Sequence, residues 1–178
     1  MKPQVSPRLQ PPAALKGWLL DRGSLTKRLQ RHSGGAFAVT VLRQQWQRPR
    51  LDEAQALGIP PAQYALVREV ILHGRGEPWV YARSVLPLPV LAGPLRFLRQ
   101  LDNRPLGALL FGNPAIRRGP VVLQRWPQAL LPPTVGQQAA GPLWGRYSVF
   151  RYGASGILVS EVFLPCLAYN ASHEPSPD

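Results

Sequence analysis

The stretch YALVREVILHGRGEPWVYARSVL, residues 64–86, decides the fold. It contains two runs rich in β-branched and aromatic residues, 64–72 and 79–86, joined by HGRGEP (73–78). The two glycines of this connection can adopt the positive φ angles that a tight turn requires. The stretch therefore predicts a β-hairpin.

Four more strand-like runs lie outside this hairpin: 37–46, 115–126, 144–152 and 157–164. The last two flank the sequence GASG and predict a second hairpin, whereas Pro120 makes 115–126 an edge strand or a bulged one. Because the strands come mostly as adjacent hairpins and not as βαβ units, we predict an α+β domain with one six-stranded antiparallel sheet.

Short helices are expected to cover one face of this sheet. Leucine and tryptophan at helical spacing predict a helix around residues 15–19, and Ser24 can cap a second helix over 24–32. Pro94 and Pro105 are well placed in the first turns of two more helices.

The length and composition indicate one domain. The chain has 178 residues, of which 45% are hydrophobic, which is enough for a single core. Residues 1–13 contain four prolines, and 170–178 are polar. We therefore predict a domain at 14–169 between two disordered tails.

The sequence predicts a soluble cytoplasmic protein. No signal peptide is recognisable, and the most apolar stretch, Val85–Leu98, is broken by prolines and an arginine. The single cysteine, Cys166, suits a reducing compartment. A net charge of +12 favours anionic partners but does not choose among nucleic acid, lipid and a small dianionic metabolite. The arginines are scattered, which argues against a basic nucleic-acid-binding tail.

Two charged side chains stand out on apolar strand faces. Period-two alternation places Arg68 beside Val70, and Glu161 beside Val159. One interpretation is structural, with an Arg–Glu pair or exposure on the solvent face of a one-sided sheet. The other is an internal pocket in which Arg68 clamps a substrate carboxylate and Glu161 serves a hydroxyl or a proton transfer.

Cofactor motifs are missing from the sequence. It has no P-loop and no GxGxxG motif after a strand, and His32, His73 and His173 lack metal-ligand spacing. We therefore expect no metal and no organic cofactor.

Six blocks in the chain, taken in order, resemble the chorismate pyruvate-lyase family, whose members open ubiquinone synthesis in bacteria. Together they span roughly residues 15–168. The blocks are SLTKRL (24–29), LVREVIL (66–72), GEPWVYARSVLP (76–87), RPLGALLF (104–111), LWGRYSVF (143–150) and ILVSEVFLP (157–165).

This resemblance implies a monomeric lyase that converts chorismate to 4-hydroxybenzoate and pyruvate without a cofactor. It also implies one antiparallel sheet with helical flaps over a buried ligand site. The sequence does not identify the partner that accepts the product, for which a membrane-bound prenyltransferase is one candidate. Nucleic-acid binding and stable membrane insertion are not expected.

The resemblance also assigns ligand contacts. Arg68 is expected to clamp the ring carboxylate, Leu106 to contact the ligand chiefly through its backbone, and Glu161 to lie near the ring hydroxyl. Leu25 replaces a family methionine of similar volume and polarity, so the contact is expected to survive. Whether Glu161 acts as a base or only as a hydrogen-bond partner stays open.

The chief alternative is a non-catalytic sensor of small aromatic acids. The family's fold is similar to the effector-binding domains of some bacterial transcription regulators, which normally follow a DNA-binding domain. Only about 14 residues precede the first predicted helix, which we consider too few for such a domain.

Overall fold

The computed structural model describes residues 10–136 and 139–172, without the side chains of 171 and 172. Residues 1–9 and 173–178, which make up most of the two predicted tails, lie outside the described residues. The seven strands are β1 Phe37–Gln47, β2 Ala65–Gly74, β3 Glu77–Pro87, β4 Ile116–Arg118, β5 Val122–Trp126, β6 Leu143–Tyr152 and β7 Ser155–Phe163.

All strands form one antiparallel sheet in the order β1-β2-β3-β7-β6-β4, with β5 also paired to β6. The prediction of an α+β antiparallel domain is confirmed, but the predicted number of six strands is wrong. The expected strand 115–126 is two strands separated by 119–121. Pro120 has no N–H to donate, and a side chain on Gly119 would meet the carbonyl oxygen of Val149 at 2.9 Å.

Both predicted hairpins are confirmed, and each turn is one pair of residues. In the first turn Arg75 and Gly76 have φ angles of 54° and 82°. Gly74 was expected to supply a positive φ, but this glycine serves a different purpose. The ring of the buried Trp79 occupies the space that a Cβ atom at position 74 would need.

The helices are short, and several were not predicted. Those expected near residues 15–19, 24–32 and 105 are present, whereas the one expected at Pro94 is a 3-10 turn that begins at Arg96. The α-helices are α1 Ala13–Leu20, α2 Leu25–His32, α3 Leu51–Leu57, α4 Leu106–Gly112, α5 Pro133–Gly136 and α6 Pro165–Ser172. The 3-10 turns are Leu88–Leu91, Arg96–Gln100 and Gln128–Leu130.

Helices cover both faces of the sheet, so the expectation that they cover one face is wrong. On one face, α1, α2 and α6 pack their leucine and tryptophan side chains on the middle strands, and the segment 88–112 packs beside them. On the other face, α3 presses Leu57 against Val67 and Leu158. Burying each such side chain is worth about 1.5–3 kcal/mol, so these contacts fix where the two layers sit.

The face covered by α3 also carries a buried ionic network. Arg83 donates from Nε to Glu53 Oε1 at 2.6 Å and from Nη1 to Glu69 Oε1 at 2.7 Å. Glu69 also accepts hydrogen bonds from the Tyr81 hydroxyl at 2.9 Å and from Arg43 Nε at 2.9 Å. Burial alone raises the pKa of the Glu69 carboxyl, but the hydrogen bonds from Tyr81 and Arg83 outweigh it and hold that pKa below its usual range.

Candidate functional site

The candidate site is a cavity between the sheet and two helical segments. We call residues 13–32, which contain α1 and α2, the first flap, and residues 94–112, which end with α4, the second flap. The space not filled by protein, including its mouth, is about 410 Å³. Its lining consists of Thr26, Val39, Arg68, Val70, Leu72, Ala82, Ser84, Pro105, Leu106, Gly107, Val159 and Glu161.

Arg68 is a buried cation whose partners are neutral. Its Nη1 donates to Gln44 Oε1 at 2.8 Å, and its Nη2 donates to the carbonyl oxygens of Asp102 at 2.6 Å and Arg104 at 3.3 Å. Among the described residues no carboxylate forms an ion pair with it. Burial lowers the pKa of this guanidinium, which the charge of Asp102 partly offsets, yet arginine keeps its proton in proteins.

The hydrogen bonds of Arg68 leave room for an anion. A guanidinium has five N–H groups. Three are used, which leaves the Nε–H and one Nη1–H without a partner in the described part of the chain. A carboxylate in the cavity can therefore bind Arg68, and two-pronged binding at one edge would displace a flap carbonyl.

Glu161 faces the same cavity and is half of an ion pair. Its Oε2 accepts from Arg146 Nε at 2.6 Å, and its side chain is 14% exposed. The structural Arg–Glu pair considered from the sequence therefore exists, but its arginine is Arg146 and not Arg68. The second oxygen, Oε1, has no hydrogen bond within residues 10–136 and 139–172.

The two charged groups lie on one sheet face with β3 between their strands. Arg68 is opposite Ser84, and Ala82 is opposite Glu161. With about 4.8 Å between strands and about 3.4 Å per residue, the Cα atoms of Arg68 and Glu161 lie about 12 Å apart. Their long side chains leave a gap in which one small molecule could span both groups.

The two leucines that were expected to contact the ligand lie in different places, one at the cavity and one in the core. Leu106, the first residue of α4, lines the cavity and is 7% exposed. Leu25 packs in the core below α1 and α2 and is not among the lining residues; its neighbour Thr26 faces the cavity instead. The ligand contact of Leu25 therefore stays a prediction.

Gln44 and Arg146 are the functional candidates that the sequence analysis missed. Gln44 is opposite Arg68 on β1, and it also donates to the carbonyl oxygen of Arg99 in the second flap at 2.8 Å. Arg146 is opposite Glu161 on β6. Strand pairing was the signal that could have found both residues, because directly opposed residues share a face.

Two other cavities match an anionic substrate less well. A groove between the 3-10 turn at 96–100 and α4 is lined by apolar side chains and Asn113, without a charged group. A pocket beside α3 contains Arg50, Asp52 and Glu53, but these three side chains already pair with one another. Of these three cavities, only the Arg68–Glu161 cavity combines a buried cation that has no ion pair with apolar walls.

The fold and the cavity together define a small α+β domain with a cavity between its sheet and two helical segments. Its fold is shared with the effector domain of PhnF from Mycobacterium smegmatis, with a TM-score of 0.62 and 17% identity, over 83% of this chain and 91% of that one. At that identity the likeness concerns the fold alone.

The chain itself belongs to the chorismate lyase family, whose model matches residues 3–173. It is 51% identical over 150 residues to a protein of Pseudomonas aeruginosa named "Probable chorismate pyruvate-lyase", covering 84% of this chain and 83% of that relative. A relative of the same name from Pseudomonas syringae pv. tomato is 46% identical over 157 residues, which cover 88% and 82% of the two chains.

Two features are absent from residues 10–136 and 139–172. None of the helices there combines the length and the apolar character needed to cross a membrane. No group of three or more histidine, cysteine, aspartate or glutamate side chains is arranged to hold a metal ion.

Proposed function

We propose that this protein eliminates pyruvate from chorismate and releases 4-hydroxybenzoate. Membership of the chorismate lyase family supports the substrate. The observation that carries the proposal is the cavity in which Arg68, a buried cation without an ion pair, faces Glu161 across apolar walls. Such a site suits a flat, cyclic acid with a carboxylate at one end and a hydroxyl at the other.

The reaction requires little from the protein beyond positioning. The ether bond between the ring and the enolpyruvyl group breaks, and the ring carbon bearing the hydroxyl loses a proton. The ring becomes aromatic, while the enolpyruvate gains a proton and becomes pyruvate, so atoms and charges balance. Because aromatisation drives the step, holding the substrate in a reactive geometry and assisting one proton transfer accounts for the catalysis.

Arg68 binds the ring carboxylate, and Oε1 of Glu161 accepts a hydrogen bond from the ring hydroxyl. The ion pair with Arg146 favours a hydrogen-bonding role for Glu161, since Oε2 is already held by the guanidinium and Oε1 is left to accept a hydrogen bond from the ring hydroxyl. The backbone at Leu106 closes the ring site from the side of α4. Leu25 supports Thr26 from the core, and we assign it no direct step.

We also propose where the reaction takes place and what happens to its product. We place the reaction in the cytoplasm, where the single cysteine would stay reduced. Chorismate is a dianion, and the net charge of +12 would help to attract it. The product passes to a downstream acceptor, for which a membrane prenyltransferase is the proposed candidate.

The test mixes purified protein with chorismate and follows 4-hydroxybenzoate and pyruvate by chromatography. Arg68→Ala and Glu161→Gln run alongside, with Arg125→Ala as a control because Arg125 is exposed on β5. We expect wild type and Arg125→Ala each to form 4-hydroxybenzoate and pyruvate in equal amounts. Arg68→Ala should bind 4-hydroxybenzoate at least tenfold more weakly, since a hydrogen-bonded charge is worth about 1.5–3 kcal/mol.

Glu161→Gln distinguishes the two roles of Glu161, because the glutamine amide can accept from Arg146 through its oxygen and donate to the ring hydroxyl through its nitrogen, but it cannot take a proton. Activity within about tenfold of wild type indicates hydrogen bonding, whereas a loss of 10²–10⁴-fold indicates a base. If wild type binds 4-hydroxybenzoate but forms none from chorismate, the protein is a sensor and the proposed reaction is refuted.

A further inference from the structure

Arg146 is the most completely buried charged side chain next to the site. It is 0% exposed, and it lies directly opposite Glu161 on the neighbouring strand. Its Nε holds Glu161 Oε2 at 2.6 Å. Because Arg146 does not line the cavity, it can act on a bound molecule only through residues that do, and Glu161 is the lining residue that it contacts.

The other end of the same guanidinium holds the first flap. Its Nη1 donates to the carbonyl oxygens of Trp18 at 2.8 Å and Asp21 at 2.5 Å, and more weakly to that of Leu19 at 3.4 Å. These carbonyls lie where α1 ends, a place where unpaired carbonyls and the helix dipole favour a cation. One buried group therefore joins the end of α1 to Glu161.

Arg118 on β4 holds the following part of the first flap and supplies a comparison. Its Nη1 donates to the carbonyl oxygens of Arg22 at 3.1 Å and Gly23 at 3.2 Å, and its Nε donates to Ser148 Oγ at 3.0 Å. No hydrogen bond joins Arg118 to Glu161 in the described part of the chain. It thus shares the flap contact of Arg146 and lies close enough to feel the charge of Glu161, but it does not hold that carboxylate by a hydrogen bond.

We propose that Arg146 is a positioning residue, which holds the Glu161 carboxylate in its working orientation only while the first flap covers the cavity. The carbonyls of α1 fix one side of the guanidinium, and that fixes the direction of its Nε–H. If the flap moves away, Arg146 loses these acceptors and Glu161 loses its orientation. The inference rests on the proposed lyase function, since it assigns Glu161 a working orientation.

A double-mutant cycle tests this role. Arg146→Lys keeps the charge but cannot bind Glu161 and the α1 carbonyls together, because lysine lacks the planar fork of arginine. We expect kcat to fall about 10- to 100-fold, the value of one charge-assisted hydrogen bond, with a smaller change in KM. In a Glu161→Ala background the same substitution should change kcat less than threefold, because the side chain that Arg146 positions is gone.

The controls separate positioning from folding. Arg118→Lys should leave kcat within about threefold of wild type, and thermal unfolding of every variant is followed by circular dichroism. The affinity for 4-hydroxybenzoate is measured for the same set of variants, because binding requires no turnover. If Arg146→Lys has the same effect with and without Glu161, in both readouts, its role is structural and the proposal is overturned.

A measurement that keeps Arg146 intact covers the case in which its variants fail to fold. The Nε–H resonance of Arg146 is assigned by through-bond NMR in isotope-labelled wild type and compared with Glu161→Gln and Arg118→Lys. We expect it to shift strongly in Glu161→Gln alone, and an unchanged resonance there overturns the proposal. Absence of elimination by wild type would refute the lyase function separately, since this readout requires no reaction.

Discussion

Replacing Arg83 by methionine should destabilise the protein strongly. The Arg83 side chain is 6% exposed and bonds Glu53, whose side chain is 1% exposed, and Glu69, whose side chain is 7% exposed. Methionine fills a similar space but leaves both carboxylates buried without their shared cation. Removing one partner of a buried ion pair costs about 3–5 kcal/mol, because the remaining charge stays desolvated. We therefore expect the free energy of unfolding to fall by about that amount.

Arg43→Met is the matched control, since Arg43 also bonds Glu69 Oε2 at 2.9 Å but is 49% exposed. An ion pair with one exposed partner is worth about 0–1 kcal/mol, so this variant should lose little. Both are measured by urea denaturation at pH 7 with circular dichroism. For a domain of this size, about 2–4 °C of Tm per kcal/mol predicts a drop of about 6–20 °C in Arg83→Met.

Equal losses in the two variants, or a loss below about 1 kcal/mol in Arg83→Met, would refute the reasoning, because burial would then not govern the cost. The site supplies a second check. Ser84 lines the cavity on one face of the sheet, and the neighbouring Arg83 points to the other face. Well below its Tm, Arg83→Met should therefore bind 4-hydroxybenzoate within about threefold of wild type.

Three further predictions follow from other groups. The pKa of Glu69 is lower in the folded than in the unfolded protein, so its ionised form stabilises the fold. This stability is present above the unfolded pKa of about 4.3 and is lost as the pH falls through the folded pKa. Urea midpoints from pH 6 to 3 should therefore fall, and they should fall less steeply in Glu69→Gln. Gly74→Ala forces a methyl group into the ring of Trp79 and should cost about 1–3 kcal/mol in the same denaturation assay. Burial, and then the charge of Glu77, raise the pKa of the Cys166 thiol, so it should react with a disulfide reagent at pH 8 more slowly than free cysteine, and at the normal rate in denaturant.

The sheet and the faces of its strands could be predicted because their signals are local. Alternation within single strands placed Arg68 and Glu161 on apolar faces, and turn residues marked both hairpins. The structure brings the two residues to one cavity. The 3-10 turn at Arg96 was not predictable, because packing decides it. Pro120 indicated an irregularity in 115–126, but not that the segment divides into two strands.

The buried acid Glu53 was missed for a different reason. Its helix α3 has seven residues and no wide apolar stripe, so no local pattern marks Glu53 as a buried residue. Its burial comes from Arg83 on β3, a distant strand that no local pattern connects with it.

The pairing of Arg146 with Glu161 was within reach of the sequence. A two-residue turn at 153–154 sets Tyr152 opposite Ser155, and counting back sets Arg146 opposite Glu161. Treating all of GASG as the turn shifts the register by two residues and hides the pair. Hairpin register depends on turn length, so an error of this size changes which side chains meet.

Both flaps are attached to the sheet through the main chain. Arg146 and Arg118 bind carbonyl oxygens of residues 18–23, while Gln44 and Arg68 bind those of 99–104. Every amino acid offers the same carbonyl, so the attachment specifies the path of the flaps and not their composition. Exposed flap side chains could therefore diverge to reshape the entrance without loosening these hydrogen bonds, while the buried leucines and Trp18 also hold the flaps on the sheet.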